Sequence, residues 1–194
     1  MFGSGKQVAL GALLLILATP AGVAAVDFSA RMMLKDGSKL MPGNVYIKDG
    51  KMRQEFLDAE GQSITIVRQD KKLIWVLLPE TMSYVELPLR SRLPGQFLQV
   101  PPDAVSKRRV GQEIVNGYLA DKYEVTVRGG DGALQKQTFW VATKLGMPVK
   151  MVCPETNFCL EYRSIREGQV AERLFEVPPG YQKLSSLPGA KVDY

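Results

Sequence analysis

The chain has 194 residues, a formal net charge of +5 and no histidine. Without an imidazole, most general-base, triad and histidine-ligated metal chemistry is excluded, and a serine or cysteine nucleophile would need a lysine or a terminal amine as its base. The positive excess is mild: it favours anionic surfaces slightly, and no basic helix or stacking-aromatic motif accompanies it, so a nucleic acid is not an expected partner.

Residues 1–25 read as a cleaved secretory signal. Lys6 is the only charge ahead of the apolar run Val8–Leu17, Thr19-Pro20 breaks the helix, and Ala21-Gly22-Val23-Ala24-Ala25 offers small residues to a signal peptidase. The apolar run is about ten residues, about half of what a bilayer-spanning helix needs. Residues 26–194 are then expected as one soluble, exported domain, with no later segment apolar enough to span a membrane and no cysteine near the cleavage point to carry a lipid.

From Asp27 to Leu87 turn signals recur every eight to twelve residues: Lys35-Asp36-Gly37, Pro42-Gly43, Lys48-Asp49-Gly50, Glu60-Gly61, Gln69-Asp70 and Pro79-Glu80. The segments between them, Phe28–Leu34, Asn44–Ile47, Met52–Leu57, Ser63–Arg68, Leu73–Leu78 and Met82–Leu87, are expected as a meander of antiparallel strands. Asp36-Gly37 and Asp49-Gly50 are dipeptides that accept the positive φ of a primed hairpin turn. The strand Leu73-Ile74-Trp75-Val76-Leu77-Leu78 is apolar on both faces, whereas an antiparallel sheet normally keeps one face wet. It must be covered on both sides, either by a sheet that curls around an apolar concave face or by loops and a second sheet outside.

Pro88, Pro94, Pro101 and Pro102 interrupt the stretch Pro88–Lys107, whose apolar cluster is Phe97-Leu98 with Val100. Proline removes backbone donors, so this stretch is expected as a long loop or a loop with one helical turn, either a lid or a connector resting on the core. Strands resume at Lys107–Val115, turn at Asn116-Gly117, and continue at Tyr118–Arg128 and Lys136–Ala142, with Gly129-Gly130-Asp131-Gly132 between the last two. Val149–Val152 and Leu160–Ile165 follow, then a final strand around Leu174–Val177; residues after Ser185 read as a frayed tail. No internal repeat and no domain linker is evident.

Cys153 and Cys159 are the only cysteines, with five residues between them, and each adjoins an expected strand. An even count in an exported chain argues for a disulfide stapling that hairpin. No catalytic constellation, phosphate cradle, metal-ligand set or cofactor motif is found, so an enzyme is not expected. The large adaptable side chains are another matter. Trp75, Leu77, Tyr84, Phe97, Leu98, Trp140 and Met151, with Met147 and Phe158, are candidates to line an apolar groove for acyl chains. Each buried methylene contributes about 0.8 kcal/mol, so such a groove needs no specific polar contact. Arg90, Arg92, Lys107, Arg108 and Arg109 bracket the proline-rich stretch, as a solvated rim or as a mouth for an anionic headgroup or acidic partner.

Several segments, in order, carry a resemblance. Asp27-Phe28-Ser29-Ala30, Gly43-Asn44-Val45-Tyr46-Ile47-Lys48, Thr65-Ile66-Val67, Lys72-Leu73-Ile74-Trp75 and Pro79 form the first group. Gly111-Gln112-Glu113, Asn116-Gly117-Tyr118, Phe139-Trp140-Val141 and Leu145-Gly146-Met147-Pro148-Val149-Lys150-Met151 form the second, closed by Leu174-Phe175-Glu176-Val177-Pro178-Pro179-Gly180-Tyr181. Together they resemble the outer-membrane lipoprotein-sorting (LolA/LolB-like) superfamily, in a small exported branch. The resemblance implies a mainly β protein: a single, strongly curved antiparallel half-barrel with a loop or short-helix cover. It also implies a periplasmic carrier or binding protein for lipid or lipidated protein, or a non-catalytic module for envelope proteins on the same scaffold. The carriers' amphipathic helix before the first strand has no room beside Asp27. Lys48-Asp49-Gly50-Lys51 stands where they place a functional arginine, so that role is not carried over.

Overall fold

A computed structural model describes residues 26–58, 61–89, 99–129 and 132–186. The expected signal at 1–25, the Phe97-Leu98 cluster with Arg90 and Arg92, and the last eight residues of the tail lie outside the described residues. Among the described residues twelve strands form one sheet: β1 (Phe28–Asp36), β2 (Lys39–Lys48), β3 (Lys51–Asp58), β4 (Gly61–Arg68), β5 (Leu73–Leu78), β6 (Ser83–Pro88), β7 (Ser106–Val115), β8 (Tyr118–Arg128), β9 (Leu134–Ala142), β10 (Met147–Cys153), β11 (Phe158–Glu167) and β12 (Gln182–Leu184). Their spatial order is β12-β6-β5-β4-β3-β2-β1-β11-β10-β9-β8-β7, and every pairing is antiparallel except the short β12 on β6.

Two meanders, β1–β6 and β7–β11, are thus joined along β1 and β11. The turns explain much of their geometry. Asp49 and Gly50 both have positive φ, as do Asn116 and Gly117, so β2–β3 and β7–β8 close on the primed turns expected of those dipeptides. The β1–β2 turn differs: Asp36 pairs with Lys39 inside the ladder, and only Gly37 (φ 59°) turns left-handed, so the two turn residues are Gly37-Ser38.

The sheet is open and curled. Phe28, Met32, Val45, Ile47, Met52, Phe139, Leu160 and Tyr162 all belong to one buried cluster. The Tyr162 hydroxyl on β11 lies 3.8 Å from Met52 Sδ on β3. Those strands are three steps apart in the sheet, about 14 Å if it were flat, so this face is concave. Gly43 helps to make the bend: a Cβ there would sit inside the van der Waals shell of the Glu55 carbonyl oxygen on β3, and Met32 Cε would be 3.2 Å away. Only a glycine lets β2 and β3 approach so closely at this point.

A second, smaller cluster lies on the convex face. Ile64 and Ile66 of β4 and Trp75 and Leu77 of β5 are buried there under Val170 and Phe175. Both faces of β5 are therefore covered, Ile74 by the concave core and Trp75 by a strap formed from the chain after β11. A strand was expected around Leu174–Val177; the structure instead has a single 3₁₀ turn, Glu172–Phe175, followed by β12. Pro178-Pro179-Gly180 ends any strand there, and Phe175 plugs the convex cluster rather than joining a ladder.

A short internal repeat also emerges. Pro79-Glu80-Thr81 and Pro154-Glu155-Thr156 each form one 3₁₀ turn, closed by a left-handed residue, Met82 or Asn157, whose N–H donates to the proline carbonyl. The same tripeptide caps the β5–β6 and β10–β11 hairpins.

Candidate functional site

The strap is held by cations that reach its backbone. Lys48 Nζ donates to the Val170 carbonyl at 3.2 Å, Arg53 to Leu174 at 3.1 Å and Arg68 to Phe175 at 3.0 Å. Lys51 pairs with Glu172, and Arg68 also pairs with Glu176 and, at 2.6 Å, with Asp70. Arg68 is almost wholly buried, so each of these acceptors compensates a desolvated guanidinium. Its hydrogen bonds hold the Asp70 carboxyl at about 2. Burial works against the charge of Glu176, yet hydrogen bonds from Arg68 and Lys71 outweigh it and lower its pKa.

Of the expected groove residues, Trp75, Leu77 and Tyr84 come together on the convex face. Leu77 lies opposite Tyr84, and the Trp75 indole N–H donates to Glu86 at 3.0 Å. Trp75 is 8 % exposed and Leu77 fully buried, both sealed by the strap; Arg68 and Lys71 stand over the indole. Trp140 is far from them in the sheet order. It lies opposite Lys122 on β8 and Lys150 on β10, both of which approach its ring at about 5 Å, and its N–H donates to Glu113 at 2.8 Å. Met151, paired with Phe139 and Leu160, projects to the concave face instead. The expectation of one groove lined by all of these is corrected: they divide between two clusters, Trp75, Leu77 and Tyr84 under the strap on the convex face, Trp140 and Met151 in or against the main core. Phe97 and Leu98 lie outside the described residues.

The basic rim is also divided. Arg90 and Arg92 lie outside the described residues, whereas Arg108 and Arg109 lie on β7, paired with Glu124 at 2.6 Å and Asp121 at 2.7 Å. The expected disulfide is not formed, and both cysteines are free thiols. Cys153 pairs with Phe158 and Cys159 with Val152, so the two thiols project from opposite faces of the hairpin. Their one-residue offset, unreadable without the register, keeps them apart.

Two polar hollows were not foreseen. One, of about 340 Å³, lies beside β7, β8 and β9 and is lined by residues that include Ser106, Arg108, Glu124, Thr126, Lys136 and Glu155. The other, about 210 Å³, includes Ser29, Arg31, Asn44, Tyr46, Ser164 and Arg166. It lies at a bulge where Ser164 (φ 50°) interrupts the β1–β11 register between Ser29 and Arg31. Neither has an isolated sequence signal, because each is assembled across strands distant in the chain.

A family model described as a domain of unknown function, DUF4412, matches residues 29–147. The chain belongs to this family. That match runs from β1 to the start of β10, through both meanders of the DUF4412 chain. No curated protein matches it. Among solved structures it is similar to an uncharacterized conserved protein from Thermus thermophilus, at 16% identity, with 84% of this chain and 91% of that chain covered and a TM-score of 0.57. It is also similar to a chain of the Pseudomonas aeruginosa MucA/MucB complex, at 15% identity and a TM-score of 0.51, with 80% of this chain covered. There it spans only 56% of the other chain's length. At these identities the likeness is one of fold, a half-barrel of the LolA-like kind.

Proposed function

We propose that this DUF4412 protein is a non-catalytic, exported binding module of the cell envelope that recognises a protein partner through its surface. The observation that carries this reading is the filled concave face. Phe28, Met32, Ile47, Met52, Leu160 and Tyr162 are each under 2 % exposed and contact one another where a carrier would hold its guest. The residues nominated for acyl contact on β5 are sealed under the strap. A chain without histidine is consistent with a role in recognition rather than catalysis. The similar fold within the MucA/MucB complex, itself a protein assembly, supports the same class.

A second reading, a carrier for lipid or the acyl chains of lipoproteins, draws on the soft interior. Met32, Met52 and Met147 are buried and Met41 and Met151 pack beside them, and thioethers repack readily around a guest. One experiment separates the two. The protein is crosslinked in its native compartment and recovered for mass spectrometry under native and denaturing conditions. A stoichiometric protein partner without bound acyl species supports the interaction module; a one-to-one acyl adduct without a protein partner replaces it with the carrier.

A further inference from the structure

Resting on the interaction reading, we infer that the partner docks at the open edge of the sheet, where an extended, acid-rich segment pairs with Ser106–Arg109 of β7 as an added strand. The two edges of the sheet differ. At one, β6 is covered by the three-residue β12; at the other, β7 has β8 on one side and, among the described residues, no strand beyond it. Eight of its ten residues are exposed, all but Gly111 and Val115. Such an edge presents unpaired backbone donors and acceptors to another chain.

The charge pattern selects the occupant. A bulge between Arg109 and Gly111 ends one register, leaving Ser106–Arg109 as an uninterrupted run opposite Thr126–Tyr123. Ser106 and Arg108 project to one face of that run, and Lys107 and Arg109 to the other. Cations therefore flank both faces of the same edge. On the first face Arg108 opens on the hollow of about 340 Å³, which Lys136 lines together with Glu124 and Glu155, so an incoming carboxylate there takes the place of Glu124 on Arg108. On the second, Lys107 lies 4.7 Å from the centre of the Tyr123 ring. An added strand alternates its side chains between faces, so its complement carries consecutive acidic residues rather than alternating ones. Three cations in a row disfavour pairing with another basic or apolar edge. The present partners of Arg108 and Arg109 form exposed ion pairs of the kind that contribute little, so exchanging them for the carboxylates of an incoming segment is easy.

The test uses a fluorescein-labelled decapeptide with four consecutive Asp and Glu residues flanked by Val and Thr, titrated at low salt into the whole mature chain. Saturable binding is expected, with amide shifts in NMR confined to β7 and its neighbour β8. Arg108→Glu with Arg109→Glu should weaken it about tenfold or more, and so should N-methylation of alternate peptide residues, which blocks backbone pairing and keeps the charges. Unfolding midpoints check that the variant folds; Lys107→Glu alone gives the same readout with less perturbation. Equal affinity for the N-methylated peptide, shifts centred on other strands, or no binding overturns the inference. Charge-dependent cosedimentation with phosphatidylglycerol vesicles, without peptide binding, overturns it in favour of a lipid surface. A natural partner still captured by the double variant overturns the β7 site alone and leaves the interaction reading standing; an acyl adduct without any partner removes that reading itself.

Discussion

Phe175→Ala tests the convex cluster directly. The ring is fully buried among Ile64, Ile66, Trp75 and Leu77. Removing a buried phenylalanine costs about 3–5 kcal/mol, the transfer of the ring plus the cavity left behind. The strap can sink partly into that cavity, which places the expected loss near the lower end, about 3 kcal/mol. Urea unfolding of a Trp140→Phe background makes Trp75 the sole indole reporter, since the chain has two tryptophans. Its emission should shift to the red in native buffer as the strap loosens. A control at Leu134, 57 % exposed, should stay within about 0.5 kcal/mol when changed to alanine. A loss below about 1 kcal/mol with unchanged Trp75 emission would refute the packing described for the strap.

Gly43→Ala should destabilise by about 1–3 kcal/mol in the same assay, because the new methyl meets a carbonyl of β3 that cannot swing aside; an unchanged midpoint would show that the bend does not need glycine. Asp70 has a folded pKa of about 2, below the usual value of about 3.9, so its contribution is present above about pH 4 and lost as pH falls towards 2. Glu172 and Glu176 are lowered too, so Trp75 emission should redden within that window, and flat stability down to pH 2 would contradict the strap's ion pairs. Thiol titration of denatured, unreduced protein should find two reactive cysteines, with Cys159 the more accessible in the native state; none would mean the hairpin register is wrong.

Strand positions were legible because most strands are short and end on a turn residue whose chemistry is local. β5 and β8 match their expected limits, and Asn116-Gly117 turns as its φ preference dictates. The need to cover both faces of β5 could also be read from Leu73–Leu78 alone. Which cover lies on which face could not, because Trp75 meets Phe175 through tertiary packing that leaves no periodicity. Leu174–Val177 looked like a strand for the same reason: a hydrophobic run pattern is shared by a strand and by a plug such as this one, whose Leu174, Phe175 and Val177 pack into one cluster. The cysteines failed through parity, since one residue of register decides which side of a sheet a thiol occupies. Neither the repeated Pro-Glu-Thr turns nor the hollow beside Arg108 stood out, one being only three residues long and the other drawn from strands on both sides of the Asn116 turn.

The first strand sits mid-sheet, and the consequence is topological. Neighbours within each meander are sequence-adjacent and can zip as they emerge, but β1 finds β11 only when most of the chain is available. The same terminal third then returns to clamp β3 through β5 and to close β6. Such distant pairings slow folding relative to local hairpins. A chain truncated anywhere between β6 and β11 leaves its leading strand bare along one side and its central tryptophan uncapped, a product more prone to stick to its own kind than to fold.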